Sequence, residues 1–97
     1  MKNYRWDLQK DEILRIERGI SFELILFQIE NGFILDIIKH PNEEKYPNQS
    51  IFIIEIESYA YLVPFIENKN EIFLKTIIPS RKATRNYLLK EGTDNED

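Results

Sequence analysis

The residues best suited to chemistry gather toward the C-terminal end of the chain. Ser80 is followed by Arg81, Lys82 and Arg85 with no acid among them, where the pattern predicts the start of a helix. The first turn of a helix already presents unpaired N–H groups and a positive dipole end, so each exposed cation there costs on the order of 0.3 to 1 kcal/mol. A hydroxyl, free amides and three cations together suit an anion, and a phosphate in particular. Arg81 and Arg85 are spaced i, i+4 and share a face, whereas Lys82 points about 100° away and can follow a neighbouring phosphate. The competing reading pairs these cations with carboxylates on the sheet, such as Glu55, Glu57 or Glu71.

Three further residues join them. Lys75 falls by strand alternation on one face with Phe73 and Ile77, so it either reaches into a cleft or stands as an ordinary edge charge. His40 closes an apolar run before Pro41, where an imidazole can transfer protons or simply be a surface residue. Tyr46 lies in a polar loop, and Tyr59 and Tyr61 point the same way from one strand; exposed rings near cations stack on unpaired bases. The missing motifs narrow the field. Glycines at only 19, 32 and 92 allow no glycine-rich phosphate loop, there is no G-x-S-x-G elbow, and a chain without cysteine has neither thiolate nor disulfide chemistry. One histidine builds no multi-His metal centre, so no metal and no cofactor are expected.

These side chains need a scaffold, and 97 residues with 42% hydrophobic and 31% charged composition suit one domain, here residues 1–90. Asp7 caps a first helix to about Arg18, with Leu14, Ile13, Ile16 and Ile20 toward the core and Gly19 as stop signal. Ser21 caps a second, whose Phe22, Ile25, Leu26 and Ile29 form one stripe, widened by Leu24 and Phe27, before Asn31-Gly32 ends it. Phe33 to Ile38 reads as a strand, followed by a polar loop. Ser50 to Glu57, Tyr59 to Glu67 and Glu71 to Ile78 then form antiparallel strands, because their connections are too short for crossovers. Pro64 removes a ladder donor, so the second of these is bulged or faces an edge. Ser80 caps a last helix to about Leu89. The expected class is α+β: two N-terminal helices, a three- to four-stranded antiparallel sheet and a C-terminal helix.

Charge is distributed unevenly along this scaffold. Residues 1–71 carry −5 and residues 72–90 carry +5, while the acidic tail 91–97, expected to be unfolded, returns −4 and the total is −4. A local basic segment decides anion binding more than the mean does. No apolar run approaches the roughly 18 residues of a membrane span, and no signal peptide precedes the domain, so a cytoplasmic protein is expected.

Trp6-Asp7 with Lys10, Arg18-Gly19-Ile20-Ser21-Phe22-Glu23 and Ser80-Arg81-Lys82-Ala83-Thr84 stand in an order that resembles the BrnT ribonuclease toxins. Those sequences carry a W-D-x-x-K start, a K-H-G-V-S-F-E segment and a terminal S-A-R-K-A-T-like stretch. The resemblance implies a RelE-like fold, metal-independent RNA cleavage that blocks translation, and neutralisation by a ribbon-helix-helix antitoxin. In such an enzyme the RNA 2′-OH is the nucleophile. Arg81 and Lys75 would then stabilise the phosphorane, His40 or a tyrosine would move protons, and Lys82, Arg85, Ser80 and Tyr46 would hold the RNA. The family's Lys-His before the glycine is Glu17-Arg18 here. That substitution leaves proton transfer to His40 or a tyrosine, or else leaves a non-catalytic module that binds RNA or an acidic protein through its basic helix.

Overall fold

The computed structural model describes residues 2–89; the acidic tail, 91–97, lies outside the described residues. The class is α+β, but the expected arrangement is not the one found. The chain opens on a strand, β1 (Asn3–Trp6), and continues α1 (Leu8–Arg18), α2 (Phe22–Glu30), β2 (Ile34–Lys39), β3 (Gln49–Ile56), β4 (Tyr59–Glu67), β5 (Glu71–Leu74), β6 (Ile78–Pro79) and α3 (Arg81–Tyr87). The sheet has six strands in the order β1-β5-β4-β3-β2, with β6 also on β4, and it is mixed: β1 runs parallel to β5 while the other pairings are antiparallel. The two first helices therefore form a crossover between β1 and the rest of the sheet, and are not an N-terminal helical unit. Four residues are too few to show a period, and a parallel partner near residue 71 leaves no local signal.

Both crossover helices begin and end as their residues dictate. The Asp7 carboxylate accepts from the N–H groups of Gln9 and Lys10, and Gly19 takes the left-handed conformation, φ 66°, that turns the chain out of α1. Ser21 Oγ accepts from Leu24 N, and Asp11 Oδ1 accepts from Phe22 N at 2.8 Å, fastening α1 to the start of α2. Of the apolar positions expected to face inward, Leu14 and Ile20 are buried, whereas Ile13 and Ile16 are 45% and 77% exposed. In α2, Phe22 and Ile25 are fully buried against β3 and β4, and Phe27 points outward.

The sheet has a core on each face. Phe52, Ile54, Val63, Phe65, Leu74 and Ile77 pack under α1 and α2 with Leu14, Ile20, Phe22 and Ile25, and Trp6 stacks on Phe22 at 5.7 Å. Ile53, Ala60 and Ala83 form a smaller core under α3, with Leu35, Leu62 and Leu88 against it.

The strand expected from Glu71 to Ile78 is broken after Leu74. Lys75 N still donates to Pro64 O at 2.8 Å, but pairing with β4 resumes only at Ile78 opposite Leu62. The interruption faces Pro64, which has no N–H to offer a partner, so the missing donor is accommodated by a gap in the neighbouring strand. It also shifts the alternation, sending Ile77 into the helix-side core and away from the face of Lys75.

Candidate nucleic-acid interface

The face carrying α3 is an ordered grid. Strand alternation turns Asp36 and Ile38 of β2, Gln49, Ile51 and Ile53 of β3, and Leu62, Pro64 and Ile66 of β4 to this side. The register aligns Asp36–Ile53–Leu62–Ile78 in one row, Ile38–Ile51–Pro64 with Lys75 in the next, and Gln49–Ile66–Phe73 in a third. Rows lie about 7 Å apart and strands about 4.8 Å apart. α3 covers the first row and its neighbour Ala60, where Thr84 Oγ1 accepts from Ala60 N at 2.8 Å. The other rows are only partly open: Ile38 is 36% and Ile66 37% exposed, while Ile51 in the middle of the second row is buried.

Two groups of the expected site residues border this open floor. Lys82, Asn86 and Tyr87 form the α3 wall of a groove of 230 Å³ whose floor is Ile38, Ile53 and Leu62, with Ser80 at one end. Across the floor, Lys75 Nζ donates to Gln49 Oε1 at 3.2 Å. Gln49 N donates to Tyr46 O, and Gln49 O accepts from His40 N, so one neutral residue collects Lys75, Tyr46 and His40. The His40 and Tyr46 rings lie 4.3 Å apart, and Asn42 N donates to His40 Nδ1, which places the proton of the neutral imidazole on Nε2. Tyr59 and Tyr61 instead contact each other edge-to-face at 5.7 Å, and Tyr61 packs on the helix-side core, away from this floor.

Arg81 and Arg85 are exposed on α3 but do not line the groove. The three residues expected to act together, Lys75, Arg81 and His40, are thus divided between opposite borders. Ser80 is committed to the helix: its Oγ accepts from Ala83 N at 3.0 Å and its carbonyl accepts from Thr84 Oγ1 at 2.8 Å. The carboxylates considered as partners for the basic residues are not used that way. Glu71 pairs with Arg5, and among the described residues Arg81, Lys82, Arg85 and Lys75 form no ion pair. Their field is therefore directed to solvent.

Three contributors escaped sequence reasoning. Gln49 is neutral and sits in a polar loop-to-strand junction. Tyr87 Oη donates to Asp36 Oδ2 at 2.6 Å, closing the groove's β2 side, and that hydrogen bond, with smaller effects of burial and the nearby charge, raises the phenol pKa above its ordinary value. Arg18 Nη1 donates to Ile77 O at 2.9 Å, bringing a cation of α1 to the strand that leads into Ser80. The last two join residues more than 50 positions apart, beyond any local pattern.

Comparison with family models, with curated proteins and with solved structures found no match for this chain. Among the described residues no three His, Asp or Glu side chains converge as a metal site would require, and no helix is long and apolar enough to cross a membrane.

Proposed function

We propose that this protein is the toxin of a toxin–antitoxin pair, a metal-independent endoribonuclease that binds single-stranded RNA across the open sheet face. The observation that carries the reading is the set of cations without carboxylate partners among the described residues, Lys82 and Lys75 at opposite borders of one floor and Arg81 and Arg85 beside it. A single strand can lay bases over Pro64, Phe73 and Tyr46 while its phosphates meet the borders; each stacked base contributes about 1 to 3 kcal/mol. The motifs Trp6-Asp7, Arg18 to Glu23 and Ser80 to Thr84, with their resemblance to the BrnT toxins, supply the specific activity and the ribbon-helix-helix antitoxin as partner.

In this reading the 2′-oxygen attacks the adjacent phosphorus as the P–O5′ bond breaks, the 2′-proton passing to water and a proton reaching O5′. Lys75 neutralises the charge that builds on the phosphorane. His40 supplies the proton to O5′ from Nε2 as an imidazolium, for which its Nδ1 must release the hydrogen bond it accepts from Asn42 N. Lys82, Arg81 and Arg85 hold flanking phosphates. End-labelled single-stranded RNA incubated with the purified protein in excess chelator should yield fragments ending in 2′,3′-cyclic phosphate, and His40→Ala should abolish them. Cleavage that requires magnesium, or that survives His40→Ala, overturns the mechanism. A second reading rests on the separation of Arg81 from His40 and Lys75: the face binds RNA or an acidic protein without cutting, in which case RNA is retained intact.

A further inference from the structure

The loop that carries Tyr46 closes a hollow at one end of the sheet face that bears α3. Its 230 Å³ are lined by Lys45, Tyr46, Pro47, Asn48, Gln49 and Ile66. The register sets Gln49 directly opposite Ile66, and strand alternation turns both side chains to the side of α3. Half-buried Gln49 is held in one orientation. An ammonium group donates hydrogen bonds and accepts none, so the bond from Lys75 Nζ at 3.2 Å fixes which end of the amide is Oε1 and turns the Nε2 hydrogens away from Lys75. Those hydrogens have no acceptor among the described residues. Lys45 Nζ stands 5.4 Å from the centre of the Tyr46 ring and forms no ion pair among the described residues. Glu43 and Glu44, in the same loop, do not line the hollow. An apolar wall of Tyr46, Pro47 and Ile66 is thus joined to two side chains whose unpaired nitrogens are donors.

We infer that this hollow takes a guanine base of the RNA and that Gln49 and Lys45 determine the choice, an inference that rests on the RNA-binding reading of the face. Two donors call for two adjacent acceptors. Guanine supplies them as N7 and O6, an edge on which lysine is a recurrent partner, whereas adenine places its N6 amine beside N7. The usual pairing of glutamine with adenine needs the amide oxygen as well as the nitrogen, and here Lys75 engages that oxygen. Uracil separates its carbonyls by N3–H. Cytosine has adjacent acceptors in O2 and N3, but its single ring covers less of the Tyr46, Pro47 and Ile66 wall than a purine does. Lys75 acts on the base only as a positioning residue, by setting the amide.

The test is the anisotropy of labelled uridine oligomers with one central guanosine, adenosine, cytidine or uridine, all 2′-oxygens methylated so that none is cut. The full chain should bind the guanosine oligomer about tenfold or more tightly than the others. Inosine in the same place keeps N7 and O6 and should bind equally well, while 7-deazaguanosine, which lacks the N7 acceptor, should bind no better than adenosine. Gln49→Leu and Lys45→Ala should each reduce the guanosine-over-adenosine ratio. Lys75→Met should reduce it too, by releasing the amide to present its oxygen; mere loss of a phosphate contact would lower both affinities and leave the ratio unchanged. Equal affinity for the four bases, a preference for cytidine, loss of binding with inosine, or full binding of the 7-deaza oligomer overturns the guanine site and leaves RNA binding standing. Failure of every oligomer to bind overturns both. The base comparisons use the unaltered protein, so they decide the matter even where a variant does not fold.

Discussion

Tyr87 at the end of α3 donates its phenol proton to Asp36 Oδ2 at 2.6 Å, while the other oxygen of that carboxylate accepts from Ile37 N at 2.8 Å. One aspartate thereby ties the last helix to the outermost strand and also occupies an amide next to the β2 bulge, which limits pairing of that edge with another chain. Because the bond holds the phenol protonated, the Tyr87 pKa is raised in the folded state. The associated stabilisation is complete below the unfolded phenol pKa of about 10 and disappears as pH rises through the folded value. NMR titration of the tyrosine ring carbons should find Tyr87 ionising later than an unperturbed phenol, and Asp36→Asn should lower its pKa. An unchanged Tyr87 titration in that variant would contradict the bond.

Thr84 makes a different kind of connection. Its hydroxyl is buried, accepts from Ala60 N and donates to Ser80 O, joining α3 to the start of β4. Thr84→Val keeps the shape and leaves the Ala60 N–H without a partner, so a loss of about 1 to 3 kcal/mol is expected. Thr84→Ser should recover most of it. Urea unfolding midpoints of the two variants distinguish this from a merely apolar role for residue 84.

Asp11 fastens α1 to α2 through Phe22 N, and Arg15 contacts its other oxygen at 3.5 Å. Asp11→Ala should cost about 1 to 2 kcal/mol, as loss of a helix cap does, while Asp11→Asn keeps an acceptor and should cost less. Equal destabilisation by both would assign the effect to charge and not to the hydrogen bond.

These connections mark how far the sequence could be read. Helix starts at Asp7 and Ser21, the turn at Gly19 and the Glu57-Ser58 hairpin were legible because each is decided by a few adjacent residues. Strand β1 was not, since Asn3 to Trp6 acquires its meaning only from β5, and the break after Leu74 is visible only beside Pro64. The site was legible by residue type more than by place: Lys75, His40 and Tyr46 were selected individually, but Gln49, which joins them, carries no charge to attract notice. The corrected N-terminus is itself testable. Trp6, half-buried on Phe22, is the chain's one tryptophan, so its fluorescence reports β1 docking. Trp6→Ala should cost about 2 kcal/mol, less than the 3 to 5 of a fully buried aromatic, and in the wild type the emission shift should coincide with global unfolding. A frayed N-terminus would instead show exposed-tryptophan emission before denaturant is added.

The cations of α3 permit a quantitative test of RNA binding that does not require cleavage. Counterion release makes the affinity for a single strand fall with salt by a logarithmic slope of about 0.7 per phosphate contact. Arg81→Ala, Lys82→Ala and Arg85→Ala should each lower that slope by about 0.7 if each holds one phosphate. Lys75→Ala should do the same, because its Gln49 bond is to a neutral amide and leaves its charge available. Ser80→Ala should leave the slope unchanged while reducing stability, since its hydroxyl caps the helix through Ala83 N. Anisotropy of a labelled uridine oligomer across a salt series separates these outcomes. Slopes unaffected by all four cation substitutions would remove the sheet face beside α3 from consideration as a nucleic-acid surface, whatever RNA the protein retained elsewhere.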